Sequence, residues 1–290
     1  MGHVTALYRL ARRLKYPDVR LVAALKDPAA GGTLAAMGVE IVQAPLWPSV
    51  SMTHAHIARS SSTTMGDILA TAGLADPAGL KRLLQDWDDH FIRIKPDLVV
   101  ADMAPAAALV ARGQLPLIIV GNGFTLPPSE MLRFPPLHRL TPPAFDEDET
   151  LSIVNSVLKS RGQARLDWLP QMFSGDARLV LTFPLLDPYR TQRAQPADGP
   201  VLDQVPHPSD PDAGSIFAYF SRSYLLHPDI PRVLLAHARK LRIHAPELSD
   251  SQVDTLRRAG ASVEADPVMS ATAMASARLA IHFGGSGLAS

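Results

Sequence analysis

Short apolar segments alternate with helical patterns through the first part of this sequence, and this alternation constrains the fold more than any other feature. Nearly continuous apolar runs of strand length occupy residues 19–25, 39–45, 96–103 and 115–122. The apolar spacing between them predicts helices at 4–14, 79–94 and 105–111. Strands that are apolar on both faces and separated by helices form parallel sheets that the helices cover. The sequence therefore predicts an α/β, doubly wound domain.

A second α/β unit is predicted beyond a segment rich in Pro, Asp and Gly at residues 184–214. This composition is unsuited to a helix or a central strand, so part of the segment is expected to connect two domains. The strand pattern then returns four times, at 215–221, 241–246, 261–266 and 277–283. The predicted domains are an N-terminal one at 1–195, a linker at 196–213 and a partial C-terminal one at 214–290. In such folds, ligands bind at the carboxyl ends of the strands.

Composition and charge exclude several classes of function. The 290 residues include no cysteine, which excludes disulfides, thiolate metal sites and a cysteine nucleophile. Basic and acidic residues number 28 each, so the zero formal net charge gives no support for a nucleic-acid partner. No apolar run approaches the roughly 20 residues of a membrane span, and the amphipathic N-terminus is unlike a signal peptide. We predict a cytoplasmic protein that binds small molecules.

A glycine-rich turn follows the last predicted strand. Glycines let backbone N–H groups approach a phosphate closely, and a following helix adds the positive end of its dipole. A flexible surface turn is the alternative, and no Gly-Lys-Ser/Thr follows, so the turn is not of the Walker A type. The candidate phosphate-binding residues are His282, Gly284, Gly285, Ser286 and Gly287.

Two single residues are candidates for acid–base chemistry. His3 lies at the start of the first predicted helix, and an imidazole with a pKa of about 6.5 suits proton abstraction near neutral pH. Asp102 ends an apolar strand, where it is placed to orient such an imidazole. Taken alone, His3 could instead be a surface histidine. Asp102 taken alone could instead be the N-cap of the helix at 105–111.

The segment at 121–136 mixes Gly, aromatic, Met and Pro residues after a predicted strand. This mixture is typical of a loop that lines an apolar pocket, and a packed surface loop is the alternative. The candidate acceptor-binding residues in it are Asn122, Gly123, Phe124 and Met131.

Two further patterns are not interpreted as metal sites. The His-Ala-His sequence at 54–56 lies in a Ser/Thr-rich segment with no third ligand nearby, which favours surface histidines. The acidic residues at 146–149 follow Thr-Pro-Pro-Ala-Phe in a predicted loop, which favours a solvated acidic run. We predict no metal ion and no cofactor.

Taken together, these motifs resemble the two-domain glycosyltransferases of the GT-B type that use UDP-sugars, in particular the bacterial flavonoid and macrolide transferases. The resemblance rests on segments from Gly-His-Val at 2–4 to His-Phe-Gly-Gly-Ser-Gly at 282–287. It implies two Rossmann-like domains that face a cleft, and a metal-independent, inverting transfer of a hexose to a hydroxyl of a small lipophilic acceptor. His3 would be the base and Asp102 its partner, while Ser221, His282 and the glycine turn would hold the diphosphate.

The sequence departs from this family at both ends. Only Met1 precedes the Gly-His motif, where the family has a strand, and the chain ends soon after the glycine turn. The resemblance therefore implies an incomplete C-terminal domain, the lack of a central first strand, and weak or absent transfer by these 290 residues alone. A nucleotide-sugar epimerase and a non-catalytic small-molecule-binding protein are the alternative functions.

Overall fold

The structure is a computed structural model that describes residues 2–47, 62–138, 141–201, 215–220, 227, 229–245, 248–264 and 276–282. The chain divides into two compact units, His3–Val201 and Leu202–Ser290. Each unit is an α/β structure with parallel strands. No helix of the described residues has the length and apolar character that crossing a membrane requires.

The described residues of the first unit form eleven α-helices and β-strands. In chain order they are α1 Gly2–Leu14, β1 Val22–Leu25, α2 Gly32–Ala35, β2 Glu40–Gln43, α3 Met65–Leu69, α4 Pro77–Ile94, β3 Val99–Asp102, α5 Pro105–Ala111, β4 Leu117–Gly121, α6 Glu147–Ser160 and β5 Ala177–Val180. Its strands form two parallel sheets, one ordered β1-β2 and the other β3-β4-β5. Among the described residues, no strand joins these two sheets into one.

The register of the second sheet sets which residues share its carboxyl edge. Asp102, the last residue of β3, is paired with Val120 of β4, and Gly121 at the end of β4 is paired with Val180 of β5. Because all three strands are parallel, their carboxyl ends meet at the same edge. The residues that follow them, including the loop after Gly121, therefore start from the same edge as Asp102.

Helix α5 packs so closely that all seven of its residues are buried. It is made mostly of alanine, whose small side chain lets the helix approach β3 and α4. Large side chains around it complete the core of the first unit, including Leu80, Leu84, Leu117 and Leu158, each 2% exposed or less. This dense packing gives β3 and its terminal Asp102 a rigid support.

The second unit contains β6 Ile216–Tyr219, α7 Asp229–Ala236, β7 Leu241–His244, α8 Asp250–Arg258, β8 Ser262–Glu264 and β9 Leu279–His282. Its four parallel strands are ordered β8-β7-β6-β9. Four carboxyl-terminal residues lie in one row across this sheet, namely Glu264, His244, Tyr219 and His282. The four predicted strands of this half are thus confirmed.

All seven elements predicted in the first unit, four strands and three helices, are also confirmed. The sequence interpretation missed four others, namely α2, α3, β5 and α6. The acidic run at 146–149, predicted to be a solvated loop, instead starts α6: Asp146 caps the helix by accepting hydrogen bonds from the amides of Asp148 and Glu149. Three acidic residues in the first turn are favourable there because of the helix dipole.

The predicted linker at 196–213 is only partly described. Asp198 bonds to Val180 through both its backbone and its carboxylate, and the carbonyl of Val201 accepts a hydrogen bond from Arg9. Residues 196–201 thus pack in the first unit, beyond the expected boundary at 195. The rest of the linker and the His-Ala-His sequence at 54–56 lie outside the described residues.

Candidate active site

The side chains of His3 and Asp102 meet in the first unit, although 99 residues separate them in the sequence. The imidazole Nδ1 lies 3.0 Å from Asp102 Oδ2 and 3.1 Å from Oδ1. The start of α1 and the carboxyl end of β3 supply the two partners. Neither local pattern reveals this contact, which only the tertiary structure creates.

The two partners differ in exposure in a way that suits a base and its orienting group. The Asp102 side chain is 4% exposed, whereas that of His3 is 54% exposed. Because a carboxylate can only accept, Nδ1 of His3 must carry the hydrogen of this bond. The other ring nitrogen, Nε2, is then the basic atom of the neutral imidazole.

The electrostatics of the pair favour a protonated imidazole. The hydrogen bond to Asp102 raises the pKa of His3 above 6.5; burial opposes the rise, and the charge of Asp102 adds to it. A proton that Nε2 receives is thus stabilised by the carboxylate on the opposite side of the ring. This arrangement can abstract a proton from a hydroxyl group and hold it.

Local packing fixes both partners. The apolar face of α1 packs on the β1-β2 sheet through Leu7 and Ala11, with Leu34 and Val39 in the same small core. On the other side, Met103 directly follows Asp102 with a φ of 44°. A left-handed conformation is costly for a residue with a side chain, and such strain is concentrated at functional sites.

The loop after β4 carries three of the predicted acceptor-binding residues. Asn122 and Thr125 bond reciprocally: Asn122 Oδ1 accepts from the Thr125 amide at 2.9 Å, and Thr125 Oγ1 accepts from the Asn122 amide at 3.0 Å. Phe124 is 39% exposed. The fourth residue, Met131, is partly buried against the core of the first unit. Their roles in binding stay predictions.

Gly123 is required by a close approach. A Cβ placed on it would lie 2.6 Å from Asp187 Oδ1 and 2.7 Å from Asp187 Cα. Asp187 in turn pairs with Arg193, and both side chains are buried, at 1% and 6% exposure. Sequence reasoning missed this pair, because it found no helix or strand in the Pro-, Asp- and Gly-rich segment at 184–214 and singled out no residue in it. The Asp and Arg six positions apart in a loop gave no periodic signal.

The predicted diphosphate-binding residues are only partly described. His282 is the exposed last residue of β9, in register with Tyr219 of β6. On the other side of Tyr219, the ring of His244 stacks on it with centroids 5.6 Å apart. Ser221, Gly284, Gly285, Ser286 and Gly287 lie outside the described residues. The described residues include no group of three or more side chains that could together hold a metal ion.

Comparisons with known proteins identify the architecture. No protein-family model and no curated sequence matches the chain. Among solved structures, the spinosyn rhamnosyltransferase SpnG superposes with a TM-score of 0.58 at 14% identity, covering 99% of this chain and 74% of that one. This chain has the GT-B fold.

Other GT-B structures agree. SnogD, a glycosyltransferase from Streptomyces nogalater, superposes with a TM-score of 0.53 at 15% identity, covering 99% of this chain and 74% of its own. SsfS6, a glycosyltransferase from Streptomyces sp. SF2575 in complex with thymidine diphosphate, gives 0.51 at 18% identity with 99% and 73% coverage. The expected fold class of two Rossmann-like domains is thereby confirmed.

Proposed function

We propose that this chain is a glycosyltransferase that moves a hexose from a nucleoside-diphosphate sugar to a hydroxyl group of a small lipophilic acceptor. The single observation that carries the proposal is the contact of His3 with the buried Asp102 at the carboxyl edge of a GT-B sheet. An exposed imidazole backed by a buried carboxylate suits the activation of a hydroxyl nucleophile.

The reaction that we infer is a direct displacement. Nε2 of His3 takes the proton of the acceptor hydroxyl while the oxygen of that hydroxyl bonds to the anomeric carbon of the sugar. The bond between that carbon and the diphosphate oxygen breaks, and the nucleoside diphosphate leaves with the electron pair. Attack from the opposite face inverts the anomeric centre. Asp102 keeps Nδ1 protonated and stabilises the imidazolium that forms.

The donor is inferred to be a nucleoside-diphosphate sugar. SpnG, like SsfS6, has been solved in complex with thymidine diphosphate, and the resemblance noted in the sequence points to UDP. We propose that His282, Ser221 and the glycine turn hold the diphosphate, since backbone amides stabilise the charge that grows on it. No metal ion or cofactor is part of the proposal, and the cytoplasmic location stays a prediction.

A transfer assay tests the proposal. The protein is incubated with UDP-glucose or TDP-glucose and a panel of phenolic acceptors, and products are detected by mass spectrometry. We expect formation of a hexosylated phenol, and NMR coupling constants of the product should show the β-anomer from an α-linked donor. Binding of phenols without binding of either nucleotide, and without any product, would instead identify a non-catalytic binding protein.

A further inference from the structure

The guanidinium of Arg193 binds two backbone carbonyls of the loop at 122–126. Its Nη2 donates to the carbonyl of Gly123 at 3.1 Å and to that of Leu126 at 2.7 Å. The two carbonyls lie on either side of Phe124 and Thr125, so one side chain holds both ends of the turn. With 6% of the Arg193 side chain exposed, these bonds form away from water.

Asp187 holds the guanidinium in this orientation. Its carboxylate accepts from Nε of Arg193 and from Nη2 at 3.2 Å, a bidentate arrangement that fixes the plane of the guanidinium. The same carboxylate accepts from the amide of Tyr189 at 3.0 Å, which fixes its own position. A buried ion pair is costly unless the hydrogen bonds around it are satisfied, and here they are made to the loop.

The backbone of the loop packs directly against the ion pair of Asp187 and Arg193. Gly123 leaves no room for a side chain on its Asp187 side, so the loop and the ion pair are in direct contact. The loop is internally bonded as well, since the Leu126 amide donates to the Asn122 carbonyl at 3.1 Å. Phe124 in this loop is exposed. The loop follows β4, so its apolar ring starts from the same carboxyl edge of the sheet as Asp102, the last residue of β3.

We propose that Arg193, oriented by Asp187, is a positioning residue that holds the 122–126 loop in the conformation that binds the acceptor. This inference rests on the proposed function and names the residues that shape its acceptor side. Lysine cannot replace the arginine fully, because one ammonium cannot bond the carboxylate in a bidentate manner and reach both carbonyls.

The test compares Arg193→Met, Arg193→Lys and wild type by hydrogen exchange and by calorimetry. Three amides report on the loop, those of Asn122, Thr125 and Leu126, because each donates a bond within it. We expect their exchange to be at least tenfold faster in Arg193→Met and intermediate in Arg193→Lys. Binding of quercetin should weaken about tenfold in Arg193→Met, while binding of UDP and thymidine diphosphate stays unchanged.

The matched control is Arg161→Met, which breaks another, partly buried ion pair of the first unit, with Asp88 at 2.7 Å. It should lower the thermal midpoint without changing exchange in the loop or the affinity for quercetin. Unchanged exchange in both Arg193 variants would overturn the positioning role. Faster exchange with unchanged quercetin affinity would overturn its link to the acceptor.

The two proposals fail in different ways. If wild type binds neither quercetin nor a nucleoside diphosphate, the proposed function fails and the acceptor role of the loop fails with it. The exchange rates still decide whether Arg193 holds the loop, because they need no ligand. If Arg193→Met does not fold, Arg193→Lys and Asp187→Asn supply the same comparison, with the thermal midpoint as the check on folding.

Discussion

The imidazole of His3 and the carboxylate of Asp102 are 3.0 Å apart, with the carboxylate buried and the imidazole half exposed. Burial keeps water from competing for the carboxylate, and exposure leaves the second ring nitrogen accessible to a substrate.

Replacing Asp102 with asparagine should reduce transfer without disrupting the fold. The amide has nearly the same shape, but it carries no charge to stabilise a protonated His3, so kcat/KM should fall roughly 100-fold. The initial rate of glucosylated product measures the effect. Asp97→Asn, a change at an exposed position near the start of β3, should leave the rate within about twofold. Equal rates for the two variants would contradict the role of Asp102.

The pH dependence of transfer should report the titration of His3. Asp102 raises the pKa of His3, so the imidazole takes up a proton at a higher pH than an ordinary histidine and stops acting as a base there. Activity should therefore be lost as pH falls through a midpoint above about 6.5. In Asp102→Asn the midpoint should move down, because the largest cause of the rise is removed. A midpoint that does not move would show that another group titrates.

Glu147 should make the protein less stable as pH rises towards neutrality. Burial raises its pKa from 4.5 to about 7, although the amide of Phe134 donates to its carboxylate. The folded state thus holds the proton more tightly than the unfolded chain, so its stabilisation is complete below about pH 4.5 and is lost by about pH 7. Because the side chain is only half buried, solvent screening reduces the expected change to about 1 kcal/mol.

Chemical denaturation at pH 5 and pH 8 measures this change. Glu147→Gln should reduce the difference in the free energy of unfolding between the two pH values. The neighbouring Glu149 is exposed, and Glu149→Gln should keep that difference. A Glu147→Gln protein with the wild-type pH dependence would rule Glu147 out as its source.

Tyr189 should tolerate the loss of its hydroxyl group. The side chain is fully buried, and its hydroxyl has no hydrogen-bond partner among the described residues. Leaving such a group buried is costly, so Tyr189→Phe should keep or raise the free energy of unfolding, by up to about 1 kcal/mol. Thermal unfolding checks the direction. A loss of more than about 1 kcal/mol would mean that the hydroxyl makes a stabilising bond.

The sequence was sufficient for most of the fold because its strands are short apolar runs with a strong local signal. Strand β5 was missed because it lies next to the Pro-rich segment, and α6 was missed because its acidic first turn was interpreted as a solvated loop. Asp146 as an N-cap, with Leu151, Val154 and Leu158 at helical spacing behind it, is the signal that predicts this helix.

The candidate site was predictable only in part. His3 and Asp102 were each singled out, and the resemblance implied that they act together, but nothing in either local pattern gave the distance between them. Arg193 was not found, because its role depends on carbonyls that lie 67 and 70 residues away in the sequence. Backbone carbonyls carry no residue identity, so a side chain that binds them leaves no motif.

The central claim is that His3 activates the acceptor hydroxyl, and the measurement that tests it most directly is the transfer rate of His3→Ala. With UDP and thymidine diphosphate affinities measured on the same protein, and His237→Ala as the control, we expect a loss of roughly 100- to 10,000-fold in rate and unchanged nucleotide binding. Transfer by His3→Ala at the wild-type rate would contradict the account.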